Sequence, residues 1–215
     1  MSSSRRLIST LALSLAFACS AATAGAAVVT VGSPLSAFNS QYGASGTNTT
    51  AANVVLAEAG AHASSPVNGT ITQWRINTVT PGQFALRVLR PASSGQYTGV
   101  GRASQTVTSP GPHSFPASLA IQTGDLIGLD IPDGGAVAAE NANGSTYLRW
   151  VPALAEGSPE GNDSSFGGEI GLSADIQSPE PQAPSAPPKK KCKKKKKHKR
   201  SAESAKKKCK KKKKR

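Results

Sequence analysis

A chain of 215 residues with 17 lysines, nine arginines and 12 acids has a formal charge of +14, yet the surplus lies at one end. Between Ala27 and Pro188 five arginines meet 11 acids, a balance of −6, whereas residues 189 to 215 hold 19 basic residues and one acid, a balance of +18. That asymmetry argues against a basic nucleic-acid-binding fold, which spreads its cations over the folded surface. The length admits one domain of roughly 150 residues with a proper core.

Arg5 and Arg6 precede an apolar run from Leu7 to Cys19 and then small residues up to Ala27, the pattern of a signal peptide over residues 1 to 26. Ala24-Gly25-Ala26 has the A-x-A form that places cleavage after Ala26, with Ala22-Thr23-Ala24 as the alternative. The apolar run is too short for an ordinary membrane span. Ser4-Arg5-Arg6 resembles the start of a twin-arginine signal, so two export routes stay open. Cys19 reads as an apolar member of the run. Ala16 and Phe17 depart from the pattern around a lipid-attachment cysteine.

Residues 27 to 177 read as one antiparallel, all-β domain. With two Trp, three Tyr and five Phe in the chain, its core must rest on Val, Ile, Leu and Ala. Ala27 to Gly32 is a β-branched run and the expected first strand; residues 33 to 52 read as a long loop around Phe38 and Tyr42; Asn53 to Glu58 reads as a second strand. Thr70 to Val79 alternates, with Trp74 and Ile76 on one face and Arg75 and Asn77 on the other, and Pro81-Gly82 supplies a turn. Gln83 to Arg90 puts Phe84, Leu86 and Val88 on one face. Tyr97 to Val107 is a weaker strand. Ser114 to Ile121, the turn 122 to 125, and Leu126 to Ile131 read as a hairpin whose second arm turns Ile127, Leu129 and Ile131 inward. Further strands are expected at Val137 to Glu140, Ser145 to Val151 and Glu169 to Gln177, the last alternating through Ile170, Leu172, Ala174 and Ile176. Nine or ten short strands with turn signals, and no helical period, predict an antiparallel β-sandwich or jelly-roll-like domain. Trp74, Phe84, Leu86, Leu129, Trp150 and Leu172 are the expected core.

Residues 178 to 188 are proline-rich and predict a stiff spacer rising roughly 3.1 Å per residue. Beyond it, residues 189 to 215 read KKKCKKKKKHKRSAESAKKKCKKKKKR, two KKKCKKKKK blocks joined by HKRSAESA. With no apolar residue larger than alanine or cysteine, this segment cannot bury a core, and its composition predicts a disordered polycation. The expected polyanion-binding residues are Lys189, Lys190, Lys191, Lys193, Lys194, Lys195, Lys196, Lys197, Lys199, Arg200, Lys206, Lys207, Lys208, Lys210, Lys211, Lys212, Lys213, Lys214 and Arg215. Cys192 and Cys209 are candidates for a disulfide in an oxidising compartment. The 16 residues between them can close a ring, and surrounding ammonium groups make both thiols reactive enough for intermolecular bridging as well.

Catalytic motifs are missing. The histidines His62, His113 and His198 are isolated, no zinc-binding spacing occurs, and the nucleophile elbow, P-loop and dinucleotide fingerprint are absent. No cofactor or metal is expected, although Asp125, Asp130 and Asp133 flank one hairpin and admit an oxygen-ligand calcium site beside their ordinary reading as turn residues. Trp74, Trp150 and Tyr147 could form a sugar-stacking platform; against that, so few aromatics are needed inside. N-x-[ST] triplets at Asn48, Asn68, Asn143 and Asn162 fall in Asn-, Ser- and Thr-rich loops that produce them by chance.

The export signal, the segments ITQWRINTV, FALRVLRP and GDLIGLDIP, and the C-K-K-K-K-K tail together resemble a group of uncharacterised secreted proteins from high-GC bacteria, with a β-sandwich-like domain and a Cys/Lys-rich tail. The resemblance implies an exported β-domain and no particular activity. Four functions compete on the sequence. The first is a non-enzymatic envelope protein whose tail binds anionic surface polymers or lipid headgroups. The second is an extracellular polycation binding nucleic acid without sequence preference. The third is a carbohydrate-binding or hydrolase-associated module tethered by the tail. The fourth is a nuclear protein, since Lys199-Arg200 and Lys206 to Lys208 resemble a bipartite import signal; the export signal opposes it.

Overall fold

The structure is a computed structural model that describes residues 26–179 apart from 35, 142 and 143. These belong to the first of two units, Met1–Pro181; the second, Gln182–Arg215, lies outside the described residues. The expected signal peptide up to Gly25, the spacer beyond Pro179 and the whole lysine tail with Cys192 and Cys209 also lie outside them.

Fourteen strands run in chain order. The first seven are β1 (Val28–Gly32), β2 (Ser40–Gly43), β3 (Thr49–Val55), β4 (Gly69–Thr80), β5 (Gly82–Pro91), β6 (Tyr97–Val107) and β7 (Gly111–Ile121). The others are β8 (Leu126–Ile131), β9 (Ala136–Glu140), β10 (Thr146–Trp150), β11 (Pro159–Glu160), β12 (Ser164–Gly167), β13 (Glu169–Ile170) and β14 (Leu172–Gln177). A 3₁₀ turn at Ser93–Gly95 is the one helical element among the described residues. The strands build two sheets of seven, and every pair of named strands is antiparallel. The all-β sandwich predicted from period-2 patterning is therefore the fold.

In the first sheet β4 is the spine. It pairs with β7 on one side and β14 on the other, and β1 lies beyond β14. The end of β4, at Thr78 and Thr80, meets β9, which also takes β2 and β13. The second sheet has the order β11-β6-β5-β8-β3-β10-β12. Between the sheets lies a core of Ile71, Trp74, Ile76, Phe84, Leu86, Val88, Ile127, Leu129, Ile131, Leu172, Ala174 and Ile176, all buried. Each large side chain here gains about 1.5–3 kcal/mol from leaving water. The inward faces expected for β4, β5, β8 and β14 are the faces found.

Four expectations change. The strand pair β7 and β8 is not a hairpin. The turn after Ile121 carries the chain from the first sheet to the second, where β8 pairs with β5 and β3. Alternation shows which side chains point inward, and an inward face serves equally well in either sheet. Residues 33 to 52 contain β2 and the start of β3, so the second expected strand lies earlier, at Thr49–Val55. The run from Glu169 breaks at Gly171 into β13 and β14. A Cβ at Gly171 would stand 2.8 Å from Phe38 Cζ.

Finally, Trp150 is buried outside the sandwich. With Ala52, Leu89, Leu126 and Leu154 it forms a second apolar cluster on the outer face of the second sheet. The loop after β10 straps this cluster down. Ala153 N–H donates to Asn48 O (2.8 Å), Leu154 N–H to Thr50 Oγ1 (2.9 Å) and Gly157 N–H to Gly99 O (3.0 Å). This cover explains why Leu89 of β5 is buried although it belongs to the outer cluster and not to the sandwich core.

Candidate functional site

Every arginine of the described domain is engaged inside it. On the second sheet Arg87 and Arg102 stand opposite each other across β5 and β6, a register that sets like charges side by side. Asp130 on β8 offsets both. It accepts from Arg87 Nε (2.9 Å) and Nη2 (2.8 Å), from Arg102 Nε (2.9 Å) and from Thr50 Oγ1 (2.6 Å). Arg90 holds Asp125 through Nε and Nη2 at 3.0 and 2.9 Å. Also on the second sheet, Arg149 of β10 lies 4.9 Å over the Phe166 ring of β12; on the first sheet Arg75 grips both carboxylate oxygens of Asp175. Ion pairs engage four of the arginines and a cation–π contact the fifth, while ten acids lie among the same described residues.

These pairings also answer the calcium expectation. Asp125 and Asp130 are occupied by arginines, and Asp133 accepts the Gly46 N–H at 2.7 Å, tying two distant loops together. No group of three metal-ligating side chains is found among the described residues. The aromatic platform does not form either, because Trp74, Trp150 and Tyr147 are all buried. Of the expected histidines, His113 bonds the Ser109 carbonyl (2.8 Å) and stacks on Phe115, and His62 supplies its carbonyl to Gly32 N–H (2.8 Å).

One concave feature lies on the outer face of the first sheet. Alternation along β4 turns Gln73, Arg75 and Asn77 outward, and the register sets Arg75 between Ser114 of β7 and Ser173 of β14. The segment between β1 and β2 crosses beside them and contributes Phe38. Together they bound a groove of about 450 Å³. Phe38 is also the border of a second depression of about 410 Å³, completed by Asn39, Ser40, Gln41 and Val79. Phe38 therefore borders both hollows.

The electrostatics of the groove are neutral. Arg75 donates to Asp175 through Nη1 (3.0 Å) and Nη2, and to Gln73 Oε1 through Nη2 (2.6 Å); Thr30 Oγ1 adds a donor to Asp175 at 2.8 Å. The Arg75 hydrogen bond holds the Asp175 carboxyl below its ordinary value, and the same bond pushes the arginine up. The side chains of Asn77, Ser114 and Ser173 make no hydrogen bond among the described residues and keep their donors and acceptors for solvent or a ligand. Sequence reasoning had placed Phe38 in a loop and Arg75 and Asn77 on an outward face. Only the fold brings them to one place. Comparison with family models, curated proteins and solved structures found nothing that matches this chain.

Proposed function

We propose that this is a non-enzymatic, envelope-associated protein. Residues 1 to 26 direct its export, and the basic residues between Lys189 and Arg215 bind an anionic surface polymer or lipid headgroups, so that the β-sandwich is displayed from that surface. The observation that carries the reading is the internal use of all five domain arginines. A domain that is acidic overall and has spent its cations is repelled by an anionic surface, so retention falls to the tail. Near such a surface each lysine contributes up to about 1 kcal/mol, and a fraction of 19 basic residues is enough.

Exchange of the 17 tail lysines for glutamine tests this directly. The variant should move from the cell fraction into the medium while its far-UV spectrum stays that of the wild type. If it remains cell-bound at ordinary salt, the tail is not the anchor, and Cys192, Cys209 or the domain itself must hold it.

A further inference from the structure

We propose that the two hollows flanking Phe38 on the outer face of the first sheet form a binding groove for an uncharged oligosaccharide. A pyranose ring presents a rim of hydroxyls and an apolar face of C–H groups. It is bound where a planar aromatic wall stands beside amide, guanidinium and hydroxyl groups with hydrogen bonds to spare. The groove supplies each part. Phe38 is the wall, held against the backbone at Gly171, where a Cβ would come within 2.8 Å of the ring. Asn77, Ser114 and Ser173 offer unspent side-chain donors and acceptors around Arg75, and Arg75 itself is fixed by Asp175 and Gln73.

Charge selects the ligand class. The Arg75 guanidinium is matched on both oxygens by Asp175, so an anion gains nothing at this point. With ten acids against five arginines, the field of the surrounding domain repels one. An uncharged polyol meets no such opposition. The second hollow, bordered by Ser40, Gln41 and Val79, sets the ligand's length: a monosaccharide fills one side of Phe38, and a chain of sugars uses both. This inference concerns the displayed domain and stands apart from the tail. The tail holds anions, and the groove takes a neutral chain.

Titration of the full-length mature protein, isotopically labelled for amide NMR, with four neutral tetrasaccharides (β-1,4-glucan, chitin, xylan and α-1,4-glucan types) and with tetragalacturonate tests it. At least one neutral probe should shift the amides of Phe38, Asn77, Ser114 and Ser173, with no dependence on salt. Phe38→Ala should weaken that binding about tenfold and Asn77→Ala about fivefold. Gln83→Ala, on the opposite sheet, should leave it unchanged. If Phe38→Ala disturbs the neighbouring segment, Ser114→Trp, placed on an exposed position of β7, should abolish binding by filling the groove. The inference is overturned if no neutral probe moves these amides at about 10 mM, or if binding survives Asn77→Ala and Ser114→Trp together. It is also overturned if tetragalacturonate is preferred at these same amides. Salt-sensitive binding of tetragalacturonate that leaves the groove amides still reports on the tail alone.

Discussion

Two carboxyl groups on strands consecutive in the chain respond to their surroundings in opposite ways. Glu169 is fully buried, and burial pushes its carboxyl up; the Ser33 hydroxyl works against that, and the nearby Glu58 and Glu140 reinforce it. Asp175 is pulled down by the Arg75 hydrogen bond. A raised folded value means that the folded chain keeps its proton after the unfolded chain has lost it. The Glu169 contribution is thus intact below the ordinary value of 4.5 and fades as pH climbs through the raised one. The Asp175 contribution is intact above 3.8 and is lost on acidification. Glu169→Gln should therefore flatten the decline of the urea midpoint with pH above 4.5 and leave the acid limb alone. A variant with the wild-type slope on the alkaline side would assign that decline to another group.

The elements divide into those whose patterning settles both face and partner and those whose patterning settles the face alone. β8, Leu126–Ile131, was legible to the residue because a β-branched and leucine run ends at a Pro-Asp-Gly turn. Its partner was not, because the turn at 122 to 125 closes a hairpin or arches between sheets with the same residues. β2, four residues of mixed polarity, has too few positions to show a period. The Trp150 cluster was hidden for a different reason: its cover is an irregular loop, and a two-residue period says nothing about what a loop lays over the outer face. The groove was legible only in pieces, since Phe38, Asn77 and Ser173 are far apart in sequence. The two clusters should behave differently when cut. Leu129→Ala, in the sandwich core, should cost roughly 2–5 kcal/mol of global stability by denaturant titration. Leu154→Ala should loosen the strap, exposing Trp150 to a red-shifted emission and speeding hydrogen exchange at the Leu154 amide, with a smaller global loss. Equal global losses would make the outer cluster part of one cooperative core.

At the scale of the whole molecule the proposed anchoring by the tail would make retention a property of ionic strength. Opposed exposed charges are screened beyond about 8 Å at physiological salt, and release of condensed counterions makes affinity for a dense polyanion fall steeply with log salt. Arginine in place of every tail lysine should preserve cell retention and its salt sensitivity, read from the protein released in a stepwise sodium chloride wash. A sharp loss on that exchange would show that the ammonium group is recognised for something other than its charge.

The last strand has a consequence for the order of events in the life of the chain. β14 lies between β1 and β4 and closes both of their hydrogen-bonding edges. A polypeptide emerging N-terminus first presents β1 140 residues, and β4 92 residues, before Leu172 arrives (172 − 32 and 172 − 80). Until then two long edges stand open to any extended segment nearby, in a topology dominated by distant pairings. Completion of the sandwich thus waits for residues 172 to 177. A chain interrupted short of them keeps nearly every apolar strand and lacks the one that seals the first sheet. Such a fragment is a substrate for proteolysis or edge-to-edge aggregation rather than a smaller version of the same protein.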